Sequence, residues 1–251
     1  MDKKYIETFI KKYNLGGAIE EVRWTNESDN LVTTAMTSDR KLFCSVILEK
    51  GGAWFKDVEI AIKDTSKLKK MLATLSESIS LSLDIDENDA KRVRQIIGEN
   101  ADGRATFNYV TADLSSLDGV PKMKNIPPFN VEILLSDDFI ETFNSAFSAV
   151  GDDAASFTLI MSKKKQKMEM VLGYKQNLSD RIALEVVTTQ GKDVVKAPIS
   201  FDAKLLKEIL SANSEVKNPM LSVSEDGLAN ISFDQDGFKS QYYMIKIDVE
   251  D

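Results

Sequence analysis

The sequence predicts an α+β protein of two similar domains, each with two short helices and many strands. Two observations carry this reading. The first is a set of motifs that recur in the same order in both halves. Ile6-Glu7-Thr8-Phe9 returns as Ile140-Glu141-Thr142-Phe143, Ser66-Lys67-Leu68-Lys69-Lys70 is echoed by Ala203-Lys204-Leu205-Leu206-Lys207, and Leu81-Ser82-Leu83 by Leu221-Ser222-Val223. Ordered echoes whose separation grows slowly are the trace of an internal duplication with small insertions. The second is the stretch from Gly119 to Phe129, which holds Pro121, Pro127 and Pro128, three of the chain's five prolines. Proline withholds a backbone donor and keeps the residue before it out of the helical region, so this stretch reads as an extended connector. The expected organisation is a first domain over 1–118, a connector over 119–129 and a second domain over 130–251.

The elements follow from periodicity. Ile6, Phe9, Ile10 and Tyr13 share one face of a helix over 3–14, with Lys4, Thr8 and Lys11 on the other. Strands are expected at 17–24, 31–37, 41–49 and 54–62, broken at Asn26 to Asn30, Ser38-Asp39 and Gly51-Gly52. A second helix over 66–75 turns Leu68, Met71, Leu72 and Leu75 inward and Lys70 outward, between Lys67 and Lys69. Strands at 78–85, 92–97 and 104–111 close the first half. The second half repeats the order: a strand at 130–135, then a helix over 137–150, capped by Ser136 or Asp137, with Phe139, Ile140, Phe143 and Phe147 inward. Strands at 156–162, 167–173, 181–188 and 193–200 follow. Asp202 caps a helix carrying Leu205, Leu206, Ile209 and Leu210, and strands at 220–224, 228–233 and 239–247 end the chain.

Composition removes whole classes of chemistry. There is no histidine, so Ser-His-Asp and Cys-His nucleophiles, zincin sites and imidazole acid–base catalysis are excluded. No Gly-x-x-x-x-Gly-Lys-Ser/Thr or Gly-x-Gly-x-x-Gly is present to cradle a nucleotide. Asp84, Asp86 and Asn88 open like a calcium loop, but Asp89 stands where glycine is needed and Gln95 where a bidentate Glu is needed, so this is an acidic turn. No metal, cofactor or catalytic residue is assigned, and the chain is expected not to be an enzyme. Cys44 is the only cysteine, there is no secretory leader and no apolar run of membrane-spanning length, so a cytoplasmic protein without membrane contact is expected. A net charge of −8 argues against indiscriminate nucleic-acid binding but not against a local basic face.

Such a face is what the helices offer. Three of the four show lysine opposite their apolar stripe, and equivalent helices of a duplicated domain would lie side by side, gathering these lysines into one phosphate-binding surface. The helix over 137–150 departs, with Asp138, Glu141 and Ser145 outward. The run Lys163-Lys164-Lys165-Gln166-Lys167 reads as a hairpin tip.

Together these features resemble the DNA polymerase sliding clamps, the processivity factors that include the proliferating cell nuclear antigen and the ring clamps of tailed phages. Phe55-Lys56-Asp57-Val58-Glu59-Ile60-Ala61-Ile62 with the helix after it, and the connector through Ile126-Pro127-Pro128-Phe129, look like the phage clamps. The ending from Leu221-Ser222-Val223-Ser224 to Gln241-Tyr242-Tyr243-Met244-Ile245-Lys246-Ile247 looks like that of the cellular clamps. The resemblance implies the DNA clamp fold, with helices packed on antiparallel sheets. It also implies a homotrimer closing as a six-domain ring around duplex DNA, a DNA polymerase as partner and a clamp loader ATPase to open the ring. Lys4, Lys11, Lys12, Lys67, Lys69, Lys70, Lys204 and Lys207 would face the DNA. The strands at 104–111 and 181–188 would pair between subunits. Met36, Leu117, Val120, Leu228, Tyr243 and Ile245 would line a pocket for short hydrophobic partner peptides. The residues by themselves also fit a β-rich interaction scaffold that does not encircle DNA. A carboxylate-dependent hydrolase would need a singled-out acidic pair, and no spacing supplies one.

Overall fold

In the computed structural model the first helix, α1 (Lys3–Asn14), starts where the Asp2 carboxylate accepts the Lys4 amide at 2.8 Å. Residues 2–121, 123–151, 155–162, 167–174, 180–191 and 197–248 are described. The chain divides into two units. One comprises Met1–Thr37, Cys44–Pro121 and Asp234–Ser240, the other Ser38–Phe43, Lys122–Phe233 and Gln241–Asp251. The tip of the last hairpin thus belongs with the N-terminal half, and the turn at Ser38–Phe43 with the C-terminal half.

In the first unit Ile6, Phe9, Ile10 and Tyr13 are fully buried, as the periodicity predicts. Phe9 packs edge-on against Tyr13 at 5.5 Å and Trp24 at 5.7 Å. Beyond α1 the expected strand at 17–24 starts late. Leu15–Gly17 form a 3-10 turn in which Gly16 and Gly17 take φ of 67° and 97°, and the Asn14 amide donates to the Ile19 carbonyl at 2.8 Å. This turn delays β1 to Val22–Glu27. A tight turn through Ser28 and Asp29, both at positive φ, leads to β2 (Asn30–Met36). β3 (Leu42–Leu48) alternates, with Leu42, Cys44, Val46 and Leu48 buried. The expected strand at 54–62 shrinks to β4 (Ile60–Ile62). The residues before it form a loop tied down by Asn26, which donates to the Gly52 carbonyl at 2.6 Å. Gly52 must be glycine, since a Cβ would lie 2.6 Å from the Asn30 carbonyl oxygen. The strand order is β3-β2-β1-β4.

Helix α2 (Thr65–Leu72) is fixed at its start by two carboxylates. Asp64 accepts the Lys67 amide at 2.7 Å, and Glu20 accepts that of Ser66 at 2.8 Å. These satisfy donors that a helix start leaves open. Leu68 and Leu72 are buried against α1. The helix is shorter than expected, and Leu75 is buried beyond its end. An antiparallel meander, β5 (Ile79–Asp86), β6 (Asp89–Asn100) and β7 (Thr106–Val110), completes this unit. The β5–β6 turn is the acidic segment. Asp84 pairs with Arg94 at 2.7 Å, and Asp86 accepts the Asn88 amide at 2.9 Å, which holds its carboxyl below the usual range.

Among the described residues the second unit repeats the order with one strand added in front and one more between its helices. β8 (Val131–Leu134) precedes α3 (Asp137–Val150), whose start is capped by the Ser136 hydroxyl on the Phe139 amide at 3.2 Å. Phe143 is fully buried, while Phe139, Ile140 and Phe147 are only half-buried. β9 (Ser156–Ser162) and β10 (Lys167–Leu172) pair in register. The lysine run 163–166 lies outside the described residues, and Lys167 pairs with Glu185. The expected strand at 181–188 is two strands, β11 (Ile182–Glu185) and β12 (Val187–Gln190), in different sheets. They part at Val186, whose side chain is buried and whose amide still bonds to Met168 at 3.1 Å. Of the strand expected at 193–200, residues 193–196 lie outside the described set, and β13 is Ile199–Asp202. Asp202 caps α4 (Ala203–Ala212) through the Leu205 amide at 2.9 Å. β14 (Met220–Val223), β15 (Leu228–Gln235) and β16 (Phe238–Ile245) follow. The two strand orders are β11-β10-β9-β13 and β12-β8-β14-β15-β16. Phe157 and Phe201, 5.4 Å apart, and Leu206 and Ile209 of α4 are fully or almost fully buried at its centre.

Candidate nucleic-acid interface

The two helices of the first unit pack on each other and carry five exposed lysines: Lys4 and Lys11 on α1, Lys67, Lys69 and Lys70 on α2. In the second unit α3 and α4 also pack together, and Lys204 is exposed at the start of α4. These six agree with the expected lysine face. Two others do not. Lys12 is buried, 1% exposed, with its ammonium 5.4 Å from the centre of the Phe238 ring. Phe238 also stacks on Tyr5 at 6.2 Å. The hairpin tip that carries it is held by Lys239 on Glu49 at 2.8 Å and by the Glu49 amide on the Gly237 carbonyl at 2.8 Å. A long amphipathic side chain suits such a site, because its stem packs on apolar surface. Phe9 and Lys12 stand at i and i+3, the local sign that position 12 borders the buried stripe. Lys207 is half-buried, its ammonium 4.7 Å above the Phe147 ring, and so braces α4 on α3.

The outer side of α3 carries Asp138, Glu141 and Ser145, as the sequence indicated, and Asp137 is exposed at its start. Asp137 pairs with Lys217 at 3.0 Å across an open groove of about 610 Å³ that includes Ile140, Asn144, Val216 and Phe233. In the first unit the exposed helix lysines lie on α1 and α2, and in the second one lies at the start of α4.

The six residues expected to line a partner pocket divide between the units. Met36 at the end of β2, Leu117 just before the connector and Val120 within it are half-buried in the first. In the second, Leu228 opens β15 half-buried, and Ile245 ends β16 with 50% of its surface exposed. The Lys246 amide donates to the Gly227 carbonyl at 2.8 Å, which sets Leu228 and Ile245 at neighbouring positions. Tyr243 is a correction. It is 7% exposed, its ring 6.2 Å from that of Phe43, and burial raises its phenol pKa, so it belongs to the sheet interior. Tyr243 and Ile245 share one face of β16; Tyr243 is covered beside Phe43, whereas Ile245 is the last residue of the strand.

Two strand edges carry apolar residues that patterning could have singled out. In β7, Phe107 and Tyr109 are buried while Val110 is 67% exposed; Val187, the first residue of the edge strand β12, is 62% exposed. A β-branched residue on the solvent phase of an edge strand is the local signal.

Among solved structures the chain is similar to the proliferating cellular nuclear antigen of Entamoeba histolytica, with a TM-score of 0.70 over 98% of this chain and 96% of that one. This is the clamp fold. Sequence identity in the clamp alignment is 16%, so the likeness lies in the order and packing of elements. No protein-family model and no curated protein matches the sequence. No helix among the described residues is long and apolar enough to cross a membrane.

Proposed function

We propose that the protein is a sliding clamp that tethers a replicative DNA polymerase to its template and acts without catalysis. The observation that carries this reading is the clamp fold joined to a lysine face on its helices. Six exposed lysines on α1, α2 and α4 suit the sequence-independent, mobile phosphate contacts that a sliding protein needs. Three copies close the ring through β7 of one subunit and β11 of the next. Both are edge strands, and pairing them would remove the liability of an open edge. A separate clamp loader ATPase opens the ring, partner peptides dock near Leu228 and Ile245, and the protein works in the cytoplasm.

A second reading, the β-rich scaffold that does not encircle DNA, draws on the acidic outer side of α3 and on the engagement of Lys12 and Lys207 with aromatic rings. The solution mass separates them. Light scattering behind size-exclusion chromatography is expected to give three times the 28.0 kDa chain mass. A single-chain mass at every concentration would favour the scaffold.

A further inference from the structure

Strands β5 and β14 hold equivalent places in the two units. Each follows the second helix and opens a meander, and Leu81-Ser82-Leu83 of one matches Leu221-Ser222-Val223 of the other. In the second unit β14 is paired on both sides, with β15 through Leu221↔Ile231 and with β8 through Leu221↔Ile133 and Val223↔Val131. In the first unit β5 pairs with β6 through Leu81↔Gly98 and Ser82↔Ile97, and is the edge of its sheet. On the other side the described residues supply the Asp2↔Ser78 bridge and the Lys3 amide on the Glu77 carbonyl at 2.7 Å, both at the start of the strand.

Alternation fixes what the rest of that edge presents. The Ala101 amide donates to the Ser78 carbonyl at 3.0 Å, so even-numbered residues of β5 bond to β6 and the amides and carbonyls of Leu81 and Leu83 turn to the open side. Burial differs accordingly. Leu221 and Val223 are fully buried, whereas Leu81 is 8% exposed, Leu83 half-buried and Ile85 38% exposed. Backbone groups and partly covered leucines together make a template for one more strand.

We infer that the open edge of β5 docks an extended segment of a partner protein, apolar at alternate positions and bearing lysine or arginine at its ends. The apolar pattern is that of β8, which fills the corresponding place in the second unit with Val131 and Ile133 buried. The basic ends answer exposed carboxylates. Glu77 and Glu87 flank β5 and form no ion pair among the described residues, while Asp84 and Asp86 already have Arg94 and Arg92. This inference does not depend on ring formation.

The test uses the full chain and a fluorescein-labelled peptide copying Asn130–Leu135, with Glu132 replaced by lysine and one lysine added at each end. Saturable binding by fluorescence anisotropy is expected, with slowed hydrogen exchange at the Leu81 and Leu83 amides. In β8 the Leu135 amide donates to the Pro219 carbonyl at 2.9 Å, so odd-numbered amides face the paired strand. N-methylation at the residue copying Ile133 is therefore expected to weaken binding at least tenfold, and N-methylation at the one copying Leu134 to leave it within about twofold. Glu77→Lys with Glu87→Lys is expected to weaken it too. Absence of saturable binding, unchanged exchange at Leu81 and Leu83, or equal tolerance of the two N-methyl groups would overturn the assignment.

Discussion

Replacing Lys70 and Lys204 together by glutamate is expected to shorten the products of processive DNA synthesis and to leave the assembly mass unchanged. Both side chains are exposed, one on α2 and one on α4, and neither supports a core. Each lysine that reaches a phosphate releases condensed counterions, so the slope of log affinity against log salt falls by about one for every contact removed. Charge reversal adds repulsion to that loss. Lys207 would be a poorer choice, because its ammonium already sits on Phe147 and its removal would disturb α4. Primer extension on a long single-stranded template, read at several salt concentrations, checks this. Unchanged product length would remove these helices from the DNA-facing role.

Phe9→Ala has the largest expected effect on stability. The side chain is fully buried and touches two further aromatic residues edge-on, Tyr13 and Trp24, so its loss opens a cavity where α1 meets β1. Truncations of this kind cost about 3–5 kcal/mol, and a chain of this size loses roughly 10 °C in Tm for that. Tyr13 cannot readily turn into the space, because its hydroxyl is within hydrogen-bonding distance of Thr65 at 3.4 Å and its own ring is fully buried. Thermal unfolding followed by circular dichroism gives the answer. A shift of only a degree or two would mean that α1 is not anchored through this ring.

The same residues show how far the sequence could be read. α1, α3 and α4 were legible because their apolar residues recur at helical spacing, and for the last two because Ser136 and Asp202 supply caps. The duplication was legible in three short echoes. What escaped depends on partners distant in the chain. β4 is short because Asn26 holds the Gly52 loop away from it. The single strand expected at 181–188 breaks at Val186 because the chain leaves one sheet there for another. Lys12 looks solvated in its helix and is buried only because Phe238 arrives from the last hairpin. The lysines of α2 were legible as a surface, whereas Ile245 and Tyr243 share one strand phase, and their different exposure depends on Phe43, which covers the tyrosine, and on the strand ending at the isoleucine.

Retention on closed against open DNA tests the sliding-clamp reading most directly. The protein is incubated with a linear plasmid, over whose ends a ring can thread without a loader, half of the sample is then closed into a circle by ligation, and the circle and the cut plasmid are each passed over a sizing column in high salt. The account predicts that protein stays with the circle after salt has screened its lysine contacts, and runs off the cut plasmid. Equal retention on both, lost in parallel as salt rises, would contradict encirclement and leave only ordinary electrostatic binding.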